Sequence, residues 1–139
     1  MKNILTLITI LTIISCVEPS TESVHKINNP LNHDLSIKIY LDGLEKKSFL
    51  INKNSFYENS SFGTSPTQPY YFEKYDSIII KFDNSKTTKY INGTSDVNNR
   101  NPSNLSNWKI ESTTENKRKK RYKTVYEYNF IEQDYLDAR

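Results

Sequence analysis

Apolar and polar residues alternate with a period of two over residues 35 to 53, which predicts a pair of half-buried β-strands. The alternation is interrupted at Asp42-Gly43, a dipeptide that favours the two-residue turn of a β-hairpin. Apolar residues occupy alternate positions before this turn, at Ile37, Ile39 and Leu41, and again after it, at Phe49 and Ile51. The sequence therefore predicts a β-hairpin over residues 35–53.

The rest of the chain carries the same kind of signal. Residues 70–72 predict a short strand, residues 76–82 a central strand with β-branched residues on both faces, and residues 86–91 its hairpin partner. Residues 59–69 and 92–107 are polar, contain Ser, Asn and Pro, and predict loops. Another strand starts at Trp108 and Ile110, and residues 114–120 predict an exposed turn. The last strand has one face formed by Tyr122, Thr124, Tyr126, Tyr128 and Phe130.

About eight short strands separated by turn signals favour a mainly β fold. We expect an antiparallel β-sandwich or a small barrel. Residues 132–139 predict one short helical turn that closes an edge of the sheet. The 17 aromatic residues, ten Tyr, six Phe and one Trp, agree with this class because large rings pack well on half-buried sheet faces.

The N-terminus has a different pattern. Lys2 precedes an uncharged stretch over residues 4–14 in which Ile and Leu are interrupted only by Thr. This stretch is shorter than the roughly 20 apolar residues that a membrane-spanning helix needs. A charged start, a short apolar run and a small residue before a cleavage point are typical of a secretory signal.

The end of the apolar run specifies the type of signal. Ile13-Ile14-Ser15-Cys16 resembles the bacterial lipobox, in which apolar residues and a small residue precede an obligatory cysteine. The resemblance implies that the sulfur of Cys16 is alkylated with diacylglycerol and that cleavage makes Cys16 the new N-terminus. Cys16 is the only cysteine, and lipidation accounts for a lone cysteine in an exported protein. The alternative is a buried free thiol inside an uncleaved anchor.

These observations divide the chain into a signal peptide over residues 1–15, a lipidated flexible tether over 16–23 and one β-rich domain over 24–139. Residues 17–23 are small and polar and contain Pro19, which is typical of a tether. The expected location is the cell envelope, with the domain attached to the outer membrane through lipid. The sequence leaves open whether it faces the periplasm or the exterior.

Charge adds one local feature. The net charge of +3 does not by itself imply an acidic partner. Five consecutive cations are a candidate site for anionic lipid, lipopolysaccharide phosphate or nucleic acid: Lys117, Arg118, Lys119, Lys120 and Arg121. The alternative is an exposed turn whose charges prevent edge pairing, and export makes nucleic acid the least expected partner.

Candidate chemistry is scarce. His25 and His33 are the only histidines, and neither has the spacing of a metal site. Asp34 follows His33, but the Asn-rich surroundings are typical of a turn. The sequence contains no Gly-rich phosphate loop and no nucleophile elbow. We therefore expect no enzyme activity, no cofactor and no metal, although carboxylates brought together only by folding could still form a hydrolase site.

Two further segments admit a functional interpretation. The tyrosine face of residues 122–128 could present rings to a sugar, whereas the structural interpretation places it in the core. Asp76-Ser77-Ile78 resembles the three-residue acceptor for O-glycosylation of exported Bacteroidota proteins, which would make Ser77 the modified residue.

Several segments occur together with the lipobox: Ile27-Asn28-Asn29, residues 76–82 with Lys86 beyond them, Tyr126-Glu127-Tyr128, and residues 134–138. Together they resemble small lipoproteins of Bacteroidota, a resemblance that implies an envelope location and supplies no catalytic residue. The resulting hypothesis is a non-enzymatic, lipid-anchored binding or accessory module with an envelope protein as partner. The alternative is an inhibitor or immunity-type lipoprotein that neutralises a toxin or lysozyme-like enzyme.

Overall fold

The computed structural model describes residues 19–63, 75–83, 85–93, 100–118 and 120–139, which form a β-sandwich of two four-stranded sheets. The strands are β1 (Ser20–Asn29), β2 (Leu35–Leu41), β3 (Leu44–Ile51), β4 (Ser55–Gly63), β5 (Ser77–Phe82), β6 (Lys86–Ile91), β7 (Lys109–Asn116) and β8 (Arg121–Asn129). A 3-10 turn (Leu105–Asn107) precedes β7, and helix α1 (Glu132–Asp137) follows β8.

The first sheet has the strand order β4-β1-β8-β7. Its two central strands, β1 and β8, run parallel, with Ser20 opposite Arg121 and Asn28 opposite Asn129. The flanking strands β4 and β7 are antiparallel to their neighbours. The parallel pair joins strands from opposite ends of the sequence, which neither turn signals nor alternation predicted.

The second sheet has the order β3-β2-β5-β6 and is antiparallel throughout. Both predicted hairpins, β2–β3 and β5–β6, are confirmed. Asp42 and Gly43 have φ values of 54° and 72°, the two positive values that a type I′ turn requires. This turn explains why Leu41 lies directly opposite Leu44.

The core lies between the two sheets and is made by the inward side chains of both. Ile27 and Tyr128 of the first sheet and Ile37 and Ile80 of the second sheet are each at most 2% exposed. Phe130, just beyond β8, contacts Tyr128 and Phe82 edge to face, the geometry that aromatic pairs favour. The predicted fold class, a mainly β antiparallel sandwich with a short C-terminal helix, is therefore confirmed, with β1 and β8 as the one parallel pair among the described strands.

Three predicted boundaries were wrong. Strand β7 extends to Asn116, so residues 114–116 are strand and not part of the exposed turn. Strand β1 begins at Ser20, so residues 20–23 belong to the sheet and not to the tether, and the folded unit starts before Val24. Strand β4 extends to Gly63, so residues 59–63 are strand and not loop. Residues 20–23 and 59–63 escaped prediction because their inward positions carry Thr, Ser, Asn or Gly instead of aliphatic residues, which removes the apolar alternation.

The C-terminal segment closes an edge of the second sheet, as predicted. The backbone N–H of Thr87 in β6 donates to the Arg139 carbonyl at 2.6 Å, and the Arg139 N–H donates back to the Thr87 carbonyl at 3.1 Å. These bonds pair the end of the chain with part of the free edge of β6. A covered edge is a common protection against aggregation.

The predicted strand over residues 70–72 and the whole signal segment lie outside the described residues. Within the described part of the chain, no helix is long and apolar enough to cross a membrane.

Candidate functional site

Three polar residues from two separate segments meet at one end of the sandwich, which we call the loop end. The Asp83 carboxylate contacts Nδ1 of His33, and its other oxygen accepts a hydrogen bond from the Asp34 backbone N–H at 2.7 Å. The Asp83 N–H donates in turn to the Asp34 carbonyl at 2.9 Å. His33, Asp34 and Asp83 form one hydrogen-bonded unit, which we call the loop cluster.

The pairing of β2 with β5 brings the loop cluster together. Leu35 lies opposite Phe82, so the residues that precede β2 meet the residues that follow β5. Asp83 has a φ of 47°, a left-handed conformation that Asp adopts more readily than most residues. The turn therefore directs its carboxylate back toward the loop before β2.

A buried side-chain amide also holds the loop that contains His33 and Asp34. The side-chain nitrogen of Asn29, which is 0% exposed, donates to the carbonyls of His33, Ile51 and Asn52 at 2.8, 3.2 and 3.1 Å. Its oxygen accepts from the Leu31 N–H at 3.2 Å. One side chain thus joins the β1–β2 loop to the β3–β4 turn.

Helix α1 supplies an aromatic wall for the loop cluster. Tyr135 stacks on the His33 ring, with the two centroids 3.8 Å apart. On the Tyr135 ring, Lys86 Nζ lies 4.5 Å from the centroid and donates to the Tyr135 carbonyl at 3.2 Å. The imidazole of His33 is therefore held between an aromatic ring and a carboxylate.

The electrostatics of the cluster favour an ionised carboxylate. The hydrogen bond from His33, followed by the one from the Asp34 N–H, lowers the pKa of Asp83 below its ordinary value. One Asp34 oxygen accepts a further bond, from the Lys53 N–H at 2.8 Å. Because loop donors occupy these carboxylate oxygens, the arrangement is better suited to holding the loops in one conformation than to transferring protons.

A shallow cavity of about 320 Å³ adjoins the loop cluster. Its lining combines two carboxylates, one ammonium group, one hydroxyl and one exposed apolar side chain: Asp34, Ser36, Leu50, Lys81 and Asp83. Mixed charge at an open depression can recognise a small polar ligand or a polar side chain of a protein partner. The described residues contain no cluster of His, Cys, Asp and Glu that could hold a metal ion.

The second histidine lies elsewhere and is buried in the fold. His25, 4% exposed on the inner face of β1, stacks on Tyr126 with centroids 4.8 Å apart and meets Trp108 edge to face. Burial lowers the pKa of His25 below its ordinary value. The fold therefore does not combine the two histidines, and His25 belongs to the packing between the sheets.

The basic run occupies the turn between β7 and β8, at the opposite end of the sandwich from the loop cluster. Lys117, Arg118, Lys120 and Arg121 are all exposed; Lys119 lies outside the described residues. The backbone N–H of Ser20, the first residue of β1, donates to the Lys120 carbonyl at 3.1 Å. The start of the folded chain and the basic turn are thus direct neighbours, and we call this end of the sandwich the basic end.

The predicted modification site lies where β5 begins. Ser77 is half-buried and pairs with Tyr40 on one side and Ile91 on the other. The Asp76 carboxylate accepts a hydrogen bond from the Gly43 N–H at 3.3 Å. O-glycosylation of Ser77 stays a prediction, and it would require a transferase to reach a residue with strands on both sides.

The tyrosine face divides into a buried and an exposed part. Tyr126 and Tyr128 are 7% and 1% exposed, whereas Tyr122 is 40% exposed. The hydroxyl of Tyr128 donates to the Arg100 carbonyl at 2.6 Å. Most of this face therefore packs in the core, and Tyr126 and Tyr128 are not an accessible platform for sugar.

The sequence places His33 and Asp34 in a turn without a predicted role, and it does not predict Asp83 and Tyr135 as their partners. Asp83 lies between the predicted strand over residues 76–82 and its hairpin partner, and 50 residues separate it from His33. The signal that could have found it is the hairpin turn itself, combined with the register of β2 against β5. Cys16, the predicted lipidation site, lies outside the described residues.

No protein-family model matches the chain, and a search of curated proteins returns no match.

Proposed function

We propose that the chain is a lipid-anchored, non-enzymatic binding or accessory module of the cell envelope, attached to the outer membrane through Cys16. The observation that carries the proposal is the run Ile13-Ile14-Ser15-Cys16, followed after three residues by a strand that starts at Ser20. A lipid on Cys16 would be connected almost directly to a folded domain.

The position of β1 supports an anchoring role. β1 is an interior strand, paired with β4 on one side and with β8 on the other. A pull on the N-terminus is therefore resisted by two ladders of backbone hydrogen bonds. Two or three acyl chains supply a durable anchor, since each buried methylene contributes about 0.8 kcal/mol.

The loop cluster is the proposed binding end. β1 contains ten residues, and at about 3.3 Å per residue it separates Ser20 from Asn29 by about 30 Å. The loop cluster and its cavity would face away from the membrane, toward a partner. The occupied carboxylates favour recognition of a partner over catalysis.

The test compares Cys16→Ala with Ser15→Ala, which keeps a small residue before the cysteine. In a bacterial host, we expect the parent chain and Ser15→Ala to stay in membranes after sodium carbonate extraction. Cys16→Ala should be released or left unprocessed. Unchanged membrane behaviour and processing of Cys16→Ala would contradict the proposal.

A second candidate, an envelope inhibitor or immunity-type lipoprotein, is favoured by the hydrogen-bonded state of the loop cluster. Loops that are held in one conformation lose little entropy on binding. This candidate predicts that the anchored chain captures a secreted effector encoded beside its gene, and that Asp83→Ala weakens the capture. A gene without such a neighbour, and no captured effector, would count against it.

A further inference from the structure

We propose that the basic turn is a second membrane contact, in which Lys117, Arg118, Lys120 and Arg121 bind the phosphates of anionic lipids. This inference rests on the proposed function, because it requires a lipid on Cys16. It adds an orientation: the basic end faces the membrane surface and the loop end faces away from it.

The chain between the anchor and the fold is short. Ser20 is four residues after Cys16, and four fully extended residues span at most about 14 Å. Ser20 is bonded to Lys120 and lies opposite Arg121 in the parallel pair. A lipid on Cys16 therefore holds the basic turn close to the headgroups in every conformation of the connecting residues.

The charges around the turn favour anions. Lys117, Arg118, Lys120 and Arg121 are exposed, whereas the cation further along β8, Lys123, is already paired with Glu22 at 3.2 Å. On β7, Glu111 is likewise paired, with Lys109 at 2.7 Å, and the single exposed carboxylate beside the turn, Glu115, leaves the four cations in excess. Juxtamembrane cations are attracted to anionic leaflets over a Debye length of about 8–10 Å, and a connection of at most about 14 Å keeps the turn within about two Debye lengths of the headgroups.

The position of the turn argues against the simpler interpretation that its charges prevent edge pairing. β8 is an interior strand between β1 and β7, so the cations project from the end of a hairpin and not along the open edge of β7. Lys120 also has a φ of 49°, in the left-handed region where Gly or Asn is more usual. A lysine at this position has a local conformational cost, which a role for its charge would explain.

The experiment uses the full chain, purified from membranes of a bacterial host and reconstituted into vesicles. One set contains phosphatidylcholine alone, and the other contains about 40% phosphatidylglycerol. Lysines are acetylated with a neutral reagent and quantified by mass spectrometry. We expect Lys117 and Lys120 to react about five-fold more slowly in the anionic vesicles, with the difference lost in about 0.5 M NaCl. Lys53 and Lys89, exposed elsewhere on the fold, should react equally in both.

Matched variants test whether charge is responsible. Arg118→Gln combined with Arg121→Gln removes two cations and keeps both reporting lysines, and should reduce their protection at least about two-fold. Lys53→Gln combined with Lys89→Gln removes the same charge elsewhere and should leave the protection unchanged. Equal acetylation in neutral and anionic vesicles would overturn the inference.

The remaining outcomes separate the anchor from the contact and lipid from other anions. Flotation in a density gradient measures whether the chain is attached to the vesicles. If the chain floats with neither set of vesicles, both the proposed function and this inference are overturned. If it floats with both sets and the turn is not protected, this inference alone is overturned. Equal protection by inorganic phosphate, or by an RNA oligonucleotide with neutral vesicles, would also overturn the assignment to lipid.

Discussion

At the residue scale, Asn29 shows how a polar side chain in the core determines the geometry of a surface site. It is one of the largest fully buried side chains of the domain, although it is polar. Its function is to satisfy backbone carbonyls of two loops. Without it, the Ile51 carbonyl would be buried without this donor, which is costly.

We therefore predict that Asn29→Ala lowers the free energy of unfolding by about 2–3 kcal/mol, because each buried group left without a partner costs about 1–3 kcal/mol. Urea denaturation measures the loss. Asn52→Ala is the control, since that side chain is exposed and its backbone carbonyl remains; it should change stability by less than about 0.5 kcal/mol. Equal stabilities for the parent chain and Asn29→Ala would contradict the proposed role.

His25 predicts how stability depends on pH. Its pKa in the folded state is lowered by burial, so the unfolded chain binds a proton that the folded chain does not. Stability should therefore fall as the pH decreases below about 6.5, the ordinary pKa of histidine. Between pH 7.5 and pH 5, the free energy of unfolding of His25→Gln should fall less than that of the parent chain. The variant His33→Gln retains His25 and should therefore keep the pH dependence that His25 causes. Denaturation at a series of pH values measures both slopes, and parallel curves for the parent and His25→Gln would exclude His25 as the cause.

At this scale, a feature can be predicted from the sequence where it depends on residues that are adjacent in the chain. The Asp42-Gly43 turn was predicted because two adjacent residues determine its backbone. The contact of His33 with Asp83 was not predicted, because it depends on the register between two strands. The sequence contains many Asp and Asn residues in turns. Which of them contacts His33 is determined only by the pairing of strands in the folded chain.

At the element scale, a buried ion pair attaches helix α1 to the sandwich. Arg100 donates from Nε and Nη2 to the two carboxylate oxygens of Asp134 at 2.8 and 3.0 Å, and from Nη2 to the Asn129 carbonyl at 2.6 Å. One Asp134 oxygen also accepts from the Ile131 N–H at 2.8 Å, at the start of α1. Asp134 is 3% exposed, so its charge depends on these donors.

We predict that Arg100→Leu costs about 3–5 kcal/mol, because it leaves a buried carboxylate without its cation. Glu132→Gln, which removes an exposed charge in the same helix, should cost less than about 1 kcal/mol. Chemical denaturation of both variants provides the comparison. If Arg100→Leu were as stable as Glu132→Gln, the ion pair would not be what holds α1 in place.

The strands differ in how well the sequence predicts them. The hairpins β2–β3 and β5–β6 follow from local alternation and local turns, whereas β1 and β4 have polar inward residues in the part near the basic end. Thr21 and Ser23 are each 1% exposed, so burial there is not accompanied by apolar character. Pairing of β1 with β8 joins residues about 100 positions apart, a distance over which periodicity carries no information about partners.

At the scale of the whole molecule, the sandwich has two chemically different ends. The basic end combines the start of the folded chain with four exposed cations, and the loop end combines His33, Asp34 and Asp83 with a shallow cavity. β1 connects the two ends through the centre of the first sheet. An anchor on Cys16 would convert this difference into an orientation, with one end toward lipid and the other toward a partner.

The mass of the N-terminal peptide of the chain recovered from bacterial membranes tests the lipid anchor directly. We predict a peptide that begins at Cys16 and carries diacylglycerol on its sulfur. A peptide that retains residues 1–15, with a free thiol on Cys16, would contradict the anchor and the orientation derived from it.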